Sequence, residues 1–416
     1  MAALLAMSSM LFVGCGGREQ GYVLTFLTDA DTDMTGTFAV IQAIEDRLGI
    51  RTEVEIRMGG SEGDVIVRTR LATGTMSDIF LYNTGSLFQA LNPPVNIYDI
   101  TNEPFVQRVT DDFKRVVSVN NRVFGIPVGP TMAGAILYNK VIYRDLGLQT
   151  PRTWEEFLEN NRRIQAAGIT PIMASLNDTW TSQIIFLGDN FNVLAGHPTW
   201  AADFTANRAS HAGTPSALRS FQKTADMAPF LNADALASNV DDAIGRLARG
   251  EAAHFPMLTG FLNNIAERYP HRINDIGVFG VPGDDPNNRG VTLWSPHGIY
   301  IYRNSPRADL AKRWMEFFLS DEGLRIFAEA QTPVGPFAVR GFTLPDTVYA
   351  GVRDLQAYLD QGRTAWALEF ESPIKGPLLE HILIEVIIGS MTPMEAAIAY
   401  DQDVARQAFQ LGIPGW

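Results

Sequence analysis

The chain has 416 residues, of which 46% are hydrophobic and 19% charged, enough apolar material for two or three folded domains. A formal net charge of −13 and a pI near 5.0 leave no basic footprint, which excludes nucleic acid and an anionic membrane surface as main partners. The single cysteine, Cys15, ends an apolar run from Met1 that is too short to span a bilayer and fits the apolar region of a signal peptide.

Residues 22–27 alternate in Val, Leu and Phe and read as a strand. A helix is predicted over 37–48, with Phe38, Ile41, Ile44 and Leu48 on one face and Gly49 as its stop. Strand 52–57, helix 64–72 and strand 78–82 follow, a β-α-β-α-β order that argues a mostly parallel sheet covered by helices. Binding loops of such sheets lie beyond the C-terminal strand ends. Thr28, Asp29, Asp31 and Asp33 fall there after the first strand, and Tyr82, Asn83 and Thr84 after the third. Helix capping and solvation are the alternative role for each aspartate. A loop over 87–102 and a helix over 105–117 come next.

The stretch 123–158 organises the rest. Phe124-Gly125-Ile126-Pro127 reads as a tight turn, 129–134 as a loop whose glycines allow close backbone approach, and 135–138 as an apolar strand. Thr153 is a good N-cap with Glu156 at the capping-box spacing, and Trp154, Phe157 and Leu158 read as core. Asp178 and Trp180 precede a predicted helix over 182–191; Trp180 is a ligand-stacking candidate, with core packing as its alternative. His197 reads as structural or exposed. Helices are predicted over 215–227, 237–250 and 262–268, and a strand over 276–283. Asn304-Ser305-Pro306 is expected to cap a helix over 308–319, with a further helix over 323–330. Helices 355–361 and 378–389 flank a predicted loop that holds Trp366, Glu369 and Phe370. Thr392, Pro393 and Glu395 open a last helix that runs to about Gln410.

Catalytic and metal signatures are absent. There is no HExxH, no glycine-rich phosphate loop with lysine, no GxSxG and no CxxC, and the six histidines are scattered. No cofactor or metal is expected.

The order of these segments resembles the carbohydrate-binding family 1 of extracellular solute-binding proteins of ABC importers. The likeness rests on V-F-G-I-P-V-G-P with A-I-L-Y-N-K and P-R-T-W-E-E-F-L at 123–158, S-D-I-F at 77–80, and R-G-E-A-A-H-F-P at 249–256. It rests too on I-G-V-F-G-V-P at 276–282, W-S-P-H-G-I-Y-I at 294–301, and S-M-T-P-M-E-A-A at 390–397. His254 and Ser77 depart from the family pattern, which has an apolar residue and a proline there. The resemblance implies an α/β, two-lobed periplasmic-binding-protein-like fold (type II), with discontinuous lobes around a hinge and cleft. Its lobes would be 21–135 plus 299–335, and 136–298 plus 336–416, with 129–139 as hinge and cleft floor and a third crossing near 332–336.

The same resemblance implies a binding protein, not an enzyme, that captures a mono- or oligosaccharide and delivers it to the permease's transmembrane subunits. Sugar recognition joins aromatic faces for the C–H side of a pyranose to polar groups for its hydroxyls. The aromatic candidates are Tyr82, Trp180, Phe261, Trp294 and Trp366; the polar ones are Asp29, Asn83, Asp178, His297 and Glu369. Gly14-Cys15 resembles a lipobox, which implies residues 1–15 as leader, a lipid on Cys15 as the sole membrane contact, an extracytoplasmic location and a monomer. A non-sugar solute (glycerol-phosphate ester, polyamine or peptide) and a secreted carbohydrate-active enzyme are the alternatives.

Overall fold

Two sheets frame the molecule in a computed structural model that describes residues 22–416 except 31, 59 and 296. The leader and Cys15 lie outside the described residues.

The first sheet has five strands, in the order Ile50–Arg57, Tyr22–Asp29, Ile79–Asn83, His297–Ile301 and Gly125–Pro127. The first three run parallel, joined by helices Thr35–Leu48 and Gly60–Thr73, as the β-α-β-α-β reading expected. His297–Ile301 runs antiparallel between its two neighbours. The expected tight turn at 124–127 is therefore an edge strand, with Ile126 paired to Ile299. Its three residues are all buried, and Gly125 packs against Tyr300, where a Cβ would sit 2.6 Å from the ring.

Helix Thr35–Leu48 ends at Gly49, whose φ of 67° suits a residue without a Cβ. Its buried face is Thr37, Val40, Ile41 and Ile44, while Phe38 is 42% exposed. This corrects the expected face. Gly36 sets the rotation, because it presses on the Phe327 ring of helix Asp321–Ala330, with room for no side chain.

The second sheet has six strands built on Met132–Asn139, which starts three residues before the expected strand and is buried from Ala133 onward. Ala252–Leu258 lies antiparallel on one side; Ile276–Phe279 and Val291–Trp294 share the other. Thr170–Ile172 and Thr364–Trp366 complete the edges. Gly134 admits the Trp294 ring, which would lie 2.3 Å from a Cβ there. The observed frame is the two-lobed α/β arrangement expected from the sequence.

The chain passes between the sheets where Pro127 ends one strand and Met132 begins another, and again between Trp294 and His297. Beyond helix Asp321–Ala330 it stays bonded to the five-stranded side through Arg340, whose N–H donates to the Arg108 carbonyl at 2.6 Å. It reaches the six-stranded side at helix Ala350–Asp360, where the Ala350 N–H meets Asn274 Oδ1 at 3.1 Å.

Several local expectations change. The 105–117 helix splits into a turn at Pro104–Arg108 and a helix at Asp111–Val116, capped by Thr110. The 182–191 helix breaks into Thr179–Gln183, Ile184–Gly188 and Asn190–Gly196. The supposed loop with Trp366 and Glu369 is a short strand and the helix Leu368–Glu371. Ser305 caps no helix; its hydroxyl donates to Asp78 Oδ1 at 2.7 Å. Thr153 caps as expected, and the Glu156 carboxylate accepts from the Arg152 N–H at 2.7 Å. The box at Thr392 and Glu395 is reciprocal, and its helix runs Pro393–Gln410.

His254 occupies its apolar position as a neutral ring. Burial pushes its pKa down to about 3, against the opposing pull of its hydrogen bond to Pro171 O. Its Nδ1 donates to that carbonyl at 2.8 Å, which leaves Nε2 to accept from the Tyr143 hydroxyl at 2.7 Å.

Candidate functional site

A solvent-open cleft of about 450 Å³ lies between elements of the two sheets. Thr32, Asp33, His297 and Gln331 line it from the five-stranded side; Met132, Leu258, Phe261 and the helix Leu262–Arg268 line it from the other. Gly260 makes the turn possible, since a Cβ there would fall 2.3 Å from the Met132 sulfur. The helix that follows buries Leu262 and Ile265, so Asn263, Asn264 and Glu267 are turned to the cleft.

The Phe261 ring stacks with Trp180, at a centroid separation of 6.0 Å and an interplanar angle of 29°. Trp180 is 37% exposed, an uncommon state for so large an apolar ring. Two side chains lining the cleft carry buried oxygens without a hydrogen-bond partner, Thr32 Oγ1 and Asn263 Oδ1. A buried polar atom left unpaired costs roughly 1–3 kcal/mol, so its side chain gains by turning to a polar ligand. Asp33 is held in place, accepting from the Thr35 N–H at 3.1 Å and from Gln331 Nε2 at 2.7 Å. Among the described residues, no lysine or arginine lines the cleft.

The sequence candidates divide into three groups. Phe261 and His297 line the cleft, and Trp180 extends the Phe261 wall. Behind it, Asp29 lies 3.5 Å from Arg57 Nη2 and accepts the Thr32 N–H at 2.9 Å, which fixes the loop. Asn83 is half-buried and paired in register with His297, and its carbonyl accepts from the Tyr300 hydroxyl at 3.0 Å.

Tyr82 is fully buried beneath Arg57, whose guanidinium carbon lies 5.9 Å from the ring centre. Burial, then the charge of Asp64, holds its hydroxyl well above the usual tyrosine range. Asp178 Oδ2 accepts the Val240 N–H at 2.8 Å, at the start of helix Val240–Arg249.

Trp294 and Glu369 sit apart from the cleft. Trp294 Nε1 donates to Glu369 Oε1 at 2.7 Å, and Lys375 Nζ reaches Glu369 Oε2 at 2.6 Å. Burial opposes the Glu369 charge, but Lys375 and the Trp294 hydrogen bond outweigh it and hold the carboxyl below its usual range. Phe370 stands edge-on to both Trp294 and Trp366, and Trp366 lines a different cavity. Sequence reasoning missed Asn263, Asn264, Glu267, Thr32 and Gln331. The signal for the first three was present: Leu262 and Ile265 mark the buried face, and the remaining positions of that helix are polar.

The sequence profile of the bacterial extracellular solute-binding proteins matches residues 49–324. The chain belongs to this family. The multiple sugar-binding protein of Streptococcus mutans is 22% identical to this solute-binding protein over 292 residues, 67% of each chain. The ligand-free structure of RafE from Streptococcus pneumoniae superposes with a TM-score of 0.77 at 18% identity, covering 94% of this chain and 99% of that one. A sugar transporter from Bacillus licheniformis in complex with stachyose gives a TM-score of 0.69 at 16% identity, covering 92% and 100%. The family is extracellular and is named for binding. No helix among the described residues is long and apolar enough to cross a membrane.

Proposed function

We propose that this solute-binding protein is the substrate-binding component of an ABC importer, capturing a neutral mono- or oligosaccharide outside the cell membrane and handing it to the permease's transmembrane subunits. The observation that carries the reading is the pairing of an exposed aromatic wall, Trp180 on Phe261, with unpaired buried oxygens of Thr32 and Asn263 on opposite sides of one cleft. The wall suits the C–H face of a pyranose, and the polar side chains suit its hydroxyls. The relatives named for sugars agree with this. Absence of a lining cation disfavours a phosphate ester, which would want arginines or helix N-termini.

In this reading Phe261, Trp180, His297, Asn263 and Thr32 touch the sugar. Asp29 and Asn83 position the loops that do. The rigid bodies are 22–127 with 297–340, and 132–294 with 350–416, hinged over 128–131 and the passage between Trp294 and His297, in place of the bounds expected from the sequence. Closure gains contacts made only in the closed state, so binding and bending are one equilibrium. A lipid on Cys15 would hold the protein at the membrane as a monomer, and it releases its ligand unchanged.

Calorimetry with raffinose-type oligosaccharides, their monosaccharides and a sugar phosphate tests the reading. Saturable binding of a neutral sugar, with no product formed, is expected; at 100 times Kd the ligand adds about 2.7 kcal/mol of stability. No thermal shift with any saccharide, or a preference for the phosphate, overturns it.

A further inference from the structure

A second cavity, of about 430 Å³, lies apart from the cleft and shares none of its lining residues. Helix Asp111–Val116 supplies Asp112 and Arg115 from the five-stranded side, where it packs on strand Gly125–Pro127. The six-stranded side supplies Trp366 at the end of its edge strand, Glu371 from helix Leu368–Glu371, and Phe191 and Leu194 from helix Asn190–Gly196.

Two polar atoms of this lining are buried and unpaired. They are Nε1 of Trp366, whose residue is only 4% exposed, and Oε2 of Glu371. The other Glu371 oxygen faces Arg115 Nη1 at 3.4 Å, so the carboxylate is half-answered. An indole N–H only donates and a carboxylate only accepts, and here each is left without a partner, so the two call for an acceptor and a donor respectively. A hydroxyl does both. The apolar sides of Phe191 and Leu194 suit a carbon skeleton. Asp112 and Glu371 oppose an anion, and an ammonium has no lone pair to accept from the Trp366 N–H, which leaves a neutral ligand.

We propose that this cavity is a second small-molecule site, taking a neutral polyhydroxylated molecule that accepts from Trp366 Nε1 and donates to Glu371 Oε2. The volume falls within the range of ligand pockets, roughly 300–1,000 Å³. The Glu371 carboxyl is held above its usual range, by burial first, against the pull of Arg115. A donor from the ligand offsets that burial. The proposal rests on none of the residues that line the cleft.

The test uses the full chain, labelled with ¹⁵N, and D-glucose as the probe. The indole N–H resonance of Trp366 is assigned as the one lost in Trp366→Phe. Titration is run in a Phe261→Ala background, which cripples the cleft. The expected result is a saturable shift of that resonance, with a Kd raised at least about tenfold by Glu371→Gln, the range for a hydrogen bond to a charged group. A resonance that stays fixed at saturating glucose, or moves equally in Glu371→Gln, overturns the proposal. So does a resonance that shows only exchange contact with an internal water. Loss of cleft binding in Phe261→Ala reports on the cleft alone, so the two readings fail separately.

Discussion

The cleft and the cluster around Trp294 use the same residue types, yet they differ in one respect. In the cluster, the Trp294 indole, both Glu369 oxygens and Lys375 are joined by short hydrogen bonds. The buried pair of Lys223 and Asp189 is the same kind of region: Asp189 also accepts from Ser220 and Asn192, and Lys223 reaches Pro282 O at 2.8 Å. In the cleft, the half-buried Phe261 ring stacks on the partly exposed Trp180 beside it, and two lining oxygens lack partners. Composition does not separate these two regions; the state of their polar atoms does.

The largest expected effect is on the paired side. Asp189→Ala strands the Lys223 ammonium, whose side chain is 1% exposed, and should lower stability by about 3–5 kcal/mol in urea denaturation. Sugar affinity of the folded fraction should not change. A loss of affinity at full stability would erase the distinction between the two regions.

Acid should find the paired interior next. His254 is held neutral down to about pH 3, whereas an unfolded histidine takes a proton near 6.5. The unfolded chain therefore binds more protons in that window, so this contribution is complete above pH 6.5 and is lost as pH falls toward 3. His254→Leu should flatten the stability slope between about pH 6.5 and 4. An unchanged slope would mean the ring is already charged or reachable by water.

On the cleft side, Trp180→Ala should weaken sugar binding about tenfold, with Tm nearly unmoved, because its ring is partly solvated already. Asn263→Ala should weaken binding about fivefold, the worth of one neutral hydrogen bond, and leave stability equal or higher, since it removes an unpaired buried oxygen. A drop in Tm from either change would place these residues with the Trp294 cluster.

Much of the frame was legible in the sequence. The parallel opening, the helix Pro215–Met227, the helix Leu262–Arg268 and the box at Thr392 follow from local period and capping. What escaped depended on distant packing. Phe327 set the face of the first helix, and pairing with His297–Ile301 made a strand of Gly125–Pro127. The site was legible only in part. Phe261 and Trp180 could be named from their place in the chain order, but Trp294 looked the same until Glu369 was seen to hold its indole. Asn263 escaped because an unpaired oxygen is a property of the folded surroundings, which no local pattern records.

The crossings between the sheets have a mechanical consequence. Gly298 pairs with Pro127, Trp294 with Met132, and Pro130 bridges Phe337, while the Thr131 N–H donates to Pro336 O at 2.7 Å. Two chain passages and the approach to the third are thus laced together within a few residues of Pro130. A strip fastened along one line bends about that line and resists twist and shear. Motion of one sheet against the other then reduces to a single angle, which a single distance can follow. Cys15 is the chain's one cysteine, so in a Cys15→Ser background two added thiols, one per sheet, would carry a dye pair that reads that angle directly.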